Sequence, residues 1–376
     1  MTSISKNEFL SKIKHYLTPP GDGVFTVHTA RDKKENLQKK IYGASAVVDN
    51  KVRGLWEESL EKALPQSKCV ILGIPSDTGG GIQRGANWGP LFLRNTLLNS
   101  KEDLRTFDIG DIRVIPHLLH DKYLNSETIN NCRKSLYGNE KINLPVSPLS
   151  IAYDFAQSFH EIYPAKNIFM IGGDHSVSYP MVRAYLEAKR KSSEIKKTAL
   201  IHFDAHTDLL EERLGIDLCF GTWTSQVLPF LESPAHLVQL GIRASGKERG
   251  HWENKFRHKQ IWANEIFDKG ASSIAEEVVI HLKSLNIEEI YISFDIDCLD
   301  QEYAGATGTP EPGGLSPHEP MVIMQALFEN FKITGADMVE IAPLVKAANI
   351  KQIEPETTLM VASSLSTFLI QAMGSY

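Results

Sequence analysis

Apolar positions recur at helical spacing in the first part of the chain. Phe9, Leu10, Ile13 and Leu17 share one side of a short segment that Ser5 is placed to cap, and Pro19-Pro20-Gly21 stops it. A charged stretch runs from Arg31 to Lys40, and a second helical pattern surrounds Leu55, Trp56, Leu60 and Leu64. Residues 1–66 show no core of their own. They are expected to form a mainly helical extension that packs on the rest of the chain or on a neighbouring subunit.

From Lys68 onward the pattern changes. Short runs rich in Ile, Val and Leu predict strands at Cys69–Gly73, Ile168–Ile171, Ala199–Asp204, Leu237–Ile242, Glu289–Asp295 and Gly335–Ile341. Between them, helical period covers Pro148–Ile162, Tyr179–Lys189, Ser273–Leu285 and Pro317–Phe331, and Ser147 and Ser316 each precede a proline as a capping pair would. Near-continuous apolar strands separated by helices imply a parallel sheet covered on both faces. In such sheets ligands gather beyond the carboxyl ends of the strands. The polar motifs of this chain fall directly after apolar strands.

Composition narrows the class. Lys+Arg total 40 against 46 Asp+Glu in 376 residues, a formal charge of −6. A nucleic-acid binder needs a basic excess, so that class is excluded. The four cysteines, at 69, 132, 219 and 298, form no CxxC pair and suit a reducing compartment. No apolar run approaches the roughly 18 residues of a membrane span, and the first residues lack the apolar core of a signal peptide. A cytoplasmic globular protein with no membrane partner is expected.

Three motifs carry the chemistry. In His202-Phe-Asp204-Ala-His206-Thr-Asp208, four ligand-type residues occupy every second position, which puts them on one side of an extended backbone. In Ser293-Phe-Asp295-Ile-Asp297, two carboxylates share parity after an apolar strand, and they repel unless a cation or a proton lies between them. Gly172-Gly173-Asp174-His175-Ser176 makes a tight turn into a helix. No GxGxxG or GK[ST] pattern accompanies it, which disfavours a nucleotide site. Together the loops offer too many carboxylates for one four-ligand zinc site. They suit two divalent cations about 3.5–4 Å apart. Oxygen-rich ligation favours Mn²⁺, and the imidazoles leave Ni²⁺, Fe²⁺ and Co²⁺ open.

With GGDHS, FDAHTD and SFDIDCLDQEYAGATGTPEPGG in this order, the chain resembles the ureohydrolase family of arginase, agmatinase and formimidoylglutamase. The resemblance runs from about Val70 to Ser364 and includes Gly73–Asp77, Arg84–Pro90, Asp108–Asp111 and Asp337–Pro343. It implies a three-layer αβα sandwich around a parallel sheet of about eight strands. Residues 67–376 would be the catalytic domain. It also implies that His175, Asp204, Asp208 and Asp295 hold one metal and Asp204, His206, Asp295 and Asp297 the other. His202 and Asp174 would orient ligands. The implied reaction is hydrolysis of a guanidinium or amidine carbon. Asp208 would move a proton to the leaving nitrogen and Glu340 would pair with the guanidinium. Such a pairing is sensible, because a carboxylate accepts two parallel N–H groups.

The chain departs from the family in one loop. Arginases and agmatinases carry a histidine before a glycine, and here Phe220 stands before Gly221. With Thr222 and Trp223 it predicts a small aromatic-walled substrate pocket against which a cation can sit. The FGTWT and TPEPGG loops and the extension look most like the guanidine hydrolase branch, which uses nickel and forms urea and ammonia. Agmatinase, or another guanidino-compound hydrolase, is the alternative. The resemblance further implies a trimer or hexamer, and nickel would bring in a nickel-insertion chaperone. A non-catalytic subunit using the fold for assembly would lose ligands, yet all six and Glu340 are present. A phosphoesterase would place Arg and Lys around the metals, and the three motifs carry none.

Overall fold

The computed structural model describes residues 4–24, 30–79, 81–99, 104, 106–192, 196–343 and 356–375. Among the described residues nine strands form one sheet. They are β1 (Leu17–Thr18), β2 (Cys69–Ile74), β3 (Phe107–Ile112), β4 (Asn167–Gly172), β5 (Thr198–Phe203), β6 (Leu237–Ile242), β7 (Lys259–Trp262), β8 (Glu289–Asp295) and β9 (Lys332–Val339). Their order is β1-β3-β2-β4-β9-β8-β5-β6-β7. Every pairing is parallel except that of β1 with β3.

Side-chain alternation divides the core into two layers. Cys69 and Ile71 of β2, with Phe169 and Ile171 of β4, face the helices Ala271–Ser284, His318–Asn330 and Glu356–Gly374. Val70, Leu72 and Ile74, with Ile168 and Met170, face the helices Lys6–Tyr16 and Pro148–Ile162. The result is the three-layer arrangement expected for buried parallel strands. Glu356–Gly374 is the one described helix long and apolar enough to cross a membrane, but 61% of it is buried in the fold.

The extension is continuous with this core. Ser5 and Glu8 form a reciprocal cap on Lys6–Tyr16, as the sequence predicts, but Leu17 leaves the helix and enters β1. That antiparallel edge strand brings the sheet to nine. Phe9, Ile13, Tyr16, Leu17, Trp56, Leu60 and Leu64 are fully buried against Val70, Leu72 and Ile109. At about 1.5–3 kcal/mol each, they contribute as much as the usual net stability of a protein, about 5–15 kcal/mol. Trp56 donates its indole N–H to the Ile109 carbonyl at 3.0 Å. Asp111, held by the buried Arg94, accepts the N–H groups of Gly21 and Gly23.

Smaller differences have local causes. Ser147 stands at the N-cap position of Pro148–Ile162, but its buried hydroxyl makes no capping bond. Ser316 accepts from the N–H of His318 and donates to Glu319 instead of capping through Pro317. All four cysteines are free, and Cys69 and Cys298 are buried.

Candidate metal centre

Four neighbouring strands, β4, β9, β8 and β5, end at one place. The turn after β4 carries His175, the residue after β9 is Glu340, β8 ends at Asp295 with Asp297 just beyond, and Asp204 to Asp208 follow β5. The turn after β4 demands glycine, because a Cβ on Gly173 would lie 1.8 Å from the Ser76 carbonyl oxygen. Asp174 fixes that turn. It accepts from the Thr78 N–H at 2.6 Å, the Thr78 hydroxyl at 2.8 Å and the Ser176 N–H at 3.0 Å.

His175 is fully buried. Its Nε2 lies 3.0 Å from Ser293 Oγ, whose own proton goes to Asp337 at 2.7 Å. Ser293 therefore accepts from His175, and the ring carries its proton on Nε2. The lone pair of Nδ1 is left facing Asp295 Oδ2 at 3.0 Å, Asp204 Oδ2 at 3.2 Å and Asp208 Oδ2 at 3.3 Å, with no hydrogen-bond partner. Four acceptors pointing at one another need a cation or a proton between them. A second cluster joins Asp204, His206 and Asp297, with His206 Nδ1 3.1 Å from Asp297 Oδ2 and 3.4 Å from Asp204 Oδ1. The structure thus brings all six predicted ligands together, Asp295 through its approach to His175, and Asp204 belongs to both clusters. The donor set fits two divalent cations.

Charge accounts for the electrostatics. Burial, then Asp204, holds the Asp208 carboxyl well above the usual range. Burial, then Asp297 and Asp204, does the same to Asp295. Burial acts to raise Asp204 as well, but His202, His175 and His206 outweigh it and hold Asp204 well below. Divalent cations would neutralise this excess of carboxylates.

Supporting hydrogen bonds hold the carboxylates in place. Asp204 Oδ1 accepts the N–H of His206 at 2.6 Å, and Asp297 Oδ1 accepts that of Ala205 at 3.1 Å. Asp297 Oδ2 accepts the Thr309 hydroxyl at 3.1 Å. Asp208 has φ 50° and Glu340 φ 63°. Two non-glycine residues in the left-handed region at one site mark strain that the surrounding structure holds in place.

Glu340 is buried beside the clusters. Its Oε1 accepts the His175 N–H at 2.8 Å, and its N–H goes to the Gly173 carbonyl at 2.8 Å. A Cβ on Gly308 would lie 2.9 Å from its Oε2, so that oxygen needs the glycine. Burial, then Asp295 and Asp174, pushes the Glu340 carboxyl well above its usual range.

The sequence predicts Phe220, Thr222 and Trp223 on the substrate wall. Phe220 is half-buried, with the Arg213 guanidinium 4.8 Å from its ring centre. Thr222 is corrected: it is fully buried, and its hydroxyl serves the Asp217 and Cys219 carbonyls, which leaves it a loop clamp. Trp223 is corrected as well. It is fully buried behind the ligands, its ring 4.6 Å from that of His175, and its indole N–H donates to Asp208. Neither presents a surface to a substrate. Sequence reasoning misses this role of Trp223 and the support that Ser293 and Asp337 give His175. The buried polar parity of Ser293 with Asp295 was the available signal.

Known proteins share the family and the fold. The profile of the Arginase family matches residues 67–370. Mitochondrial agmatinase of Gallus gallus is 30% identical over 293 residues, 73% of this chain and 74% of that protein. Guanidinobutyrase of Pseudomonas aeruginosa is 27% identical over 290 residues, 73% of this chain and 79% of that protein. The arginase of Bacillus caldovelox shares the fold, with a TM-score of 0.61 at 22% identity over 82% of this chain and 99% of that chain.

Proposed function

The chain belongs to the arginase family and is a ureohydrolase acting on C–N bonds; from that premise we propose that it hydrolyses a small guanidino compound to urea. Free guanidine is the substrate we favour, and nickel the ion, with manganese as the alternative. The observation that carries the reading is Glu340, a buried carboxylate beside the ligand cluster but outside it, with Oε2 turned toward Gly308. A planar guanidinium meets such a carboxylate through parallel N–H groups.

His175, Asp204, Asp208 and Asp295 would hold one cation, and Asp204, His206, Asp295 and Asp297 the other. Two such cations lower the pKa of water and supply a nucleophile near neutral pH. The protein does the rest. Glu340 holds the guanidinium and turns its carbon toward the cluster. Asp208, steadied by Trp223, takes the proton released as the C–O bond forms and gives it to the leaving nitrogen as the C–N bond breaks. With free guanidine the products are urea and ammonia. Phe220 supports a short substrate, because no imidazole stands there to serve a longer one.

A second reading has its own observation. The exposed Arg213 cation over Phe220 would repel the distal ammonium of agmatine and attract a carboxylate. That favours an ω-guanidino acid. Under either reading a homo-oligomer, trimer or hexamer, is expected.

The test is urea release by protein loaded separately with Ni²⁺ and Mn²⁺. The panel is guanidine, methylguanidine, agmatine, arginine and 4-guanidinobutyrate. Urea from guanidine with nickel is expected. Urea chiefly from guanidinobutyrate would establish the second reading, and urea chiefly from agmatine with manganese would defeat both.

A further inference from the structure

We infer that Gln239 is a positioning residue for the metal centre: it locks His202 as a hydrogen-bond donor to Asp204 and keeps it out of the ligand set. The inference rests on the reading that the cluster holds divalent cations.

His202 stands close enough to His175, Asp204 and Asp208 to be a ligand by distance alone. Its protons decide otherwise. Strands β5, β6 and β7 lie side by side, with His202 opposite Gln239 and Gln239 opposite Gln260. Their side chains form one fully buried row. Both ends of the row have fixed polarity. At one end the Trp262 indole N–H, which can only donate, lies 3.0 Å from Gln260 Oε1. Gln260 therefore turns its NH₂ to Gln239 Oε1, at 2.7 Å. At the other end the Thr207 carbonyl, which can only accept, takes the Gln239 NH₂ at 2.7 Å.

With its amide fixed twice over, Gln239 gives its second N–H to His202 Nδ1 at 2.9 Å. Its oxygen also accepts from His258 Nε2 at 2.9 Å, so all four of its side-chain hydrogen bonds are made. His202 Nδ1 is thereby an acceptor. The ring proton sits on Nε2, which donates to Asp204 Oδ2 at 2.8 Å. No lone pair of His202 is left for a cation. The wiring is the reverse of His175, whose Nε2 gives its proton to Ser293 and whose Nδ1 stays open. Two histidines at one centre are thus sorted into ligand and orienting donor by the partners behind them.

The row also explains three fully buried polar side chains within the sheet. Buried amides are costly unless satisfied, and this one is satisfied only in the orientation that serves Asp204.

The experiment compares Mn²⁺ affinity, by competition with a chromogenic chelator, in the parent full-length protein, Gln239→Met and Gln260→Met. Gln239→Met should bind Mn²⁺ about 10- to 100-fold more weakly. Gln260→Met disturbs the same row but leaves Gln239 held by Thr207, and should stay within about twofold of the parent. Equal affinity in Gln239→Met and the parent, or equal losses in both variants, overturns the inference. A parent that binds no Mn²⁺ defeats the metal reading itself, and this inference with it. A crystal structure of the Mn²⁺-loaded parent decides the matter even if Gln239→Met does not fold. His202 Nε2 should remain on Asp204, and a bond from His202 to a cation would overturn the inference.

Discussion

Trp223 aims its indole N–H at Asp208 Oδ2, 3.0 Å away, while its ring lies against His175. One side chain thus braces two predicted ligands from behind, and its donor touches the carboxylate that we propose moves the proton. A hydrogen bond to a charged group is worth about 1.5–3 kcal/mol. Trp223→Phe keeps the ring contact and removes only the donor. We expect it to retain its metal and lose about 10- to 100-fold in kcat. Metal analysis beside steady-state urea release checks this, and unchanged kcat would remove Asp208–Trp223 from the chemistry.

Glu340 separates binding from metal retention. Its Oε1 accepts the His175 backbone N–H and its Oε2 lies close to Gly308, so it stands beside the ligand clusters without belonging to either. Glu340→Gln keeps the size and one acceptor but loses the charge that pairs with a guanidinium. It should hold two metal ions per chain and lose at least about 100-fold in kcat/KM, in the range for a charged pair at about 3 kcal/mol or more. Loss of metal from this variant would make Glu340 part of the metal scaffold.

The two clusters meet at Asp204, which gives a count that can be checked. Asp204→Ala removes an oxygen from each cluster, whereas Asp297 belongs to one of the two. Asp204→Ala should therefore lose both ions, and Asp297→Ala should keep one. Equilibrium dialysis followed by elemental analysis reads the ratio. One ion retained in Asp204→Ala would rule out Asp204 as a ligand shared by both ions.

Much of this centre was legible because its residues are close in sequence as well as in space. Asp204, His206 and Asp208 repeat with the period of an extended chain, and Asp295 and Asp297 do the same. The strands that present them are plainly apolar. What escaped was set by distant partners. β3 reads Phe-Asp-Ile-Gly-Asp-Ile, and its aspartates hide a strand because their partner, Arg94, lies on another element. β7 is four residues long, below the length at which period two declares itself. Trp223 looked like a pocket wall because its spacing from Phe220 says nothing of Asp208. Gln239 carried a signal, an amide in a doubly buried strand, but its meaning needed the register with His202 and Gln260.

Acid should weaken the fold through two buried neutral histidines. His160 lies edge-on to Phe159 and Tyr185, and burial, then Lys189, pushes its pKa from 6.5 down to about 3. Burial, then His202, lowers His258 to about 4. Both values lie below that of the unfolded chain, so the unfolded state binds the proton first. The stability these groups contribute is complete above about pH 6.5 and is lost as pH falls toward about 4 and about 3. Asp108 has the opposite sign: burial, opposed by Arg94 and helped by Asp111, raises it to about 6. Its contribution is lost as pH rises through about 6, so it partly offsets the histidines between pH 7 and 5. Each histidine loses about 2 kcal/mol over that interval and Asp108 returns about 1.4 kcal/mol, a net loss of about 2–3 kcal/mol. Urea unfolding of parent and His160→Leu at pH 7 and 5, under one metal loading, isolates one of these groups. The loss between the two pH values should be smaller in His160→Leu by about 2 kcal/mol. Parallel losses in the two proteins would show that His160 takes up its proton in the folded state as readily as in the unfolded one.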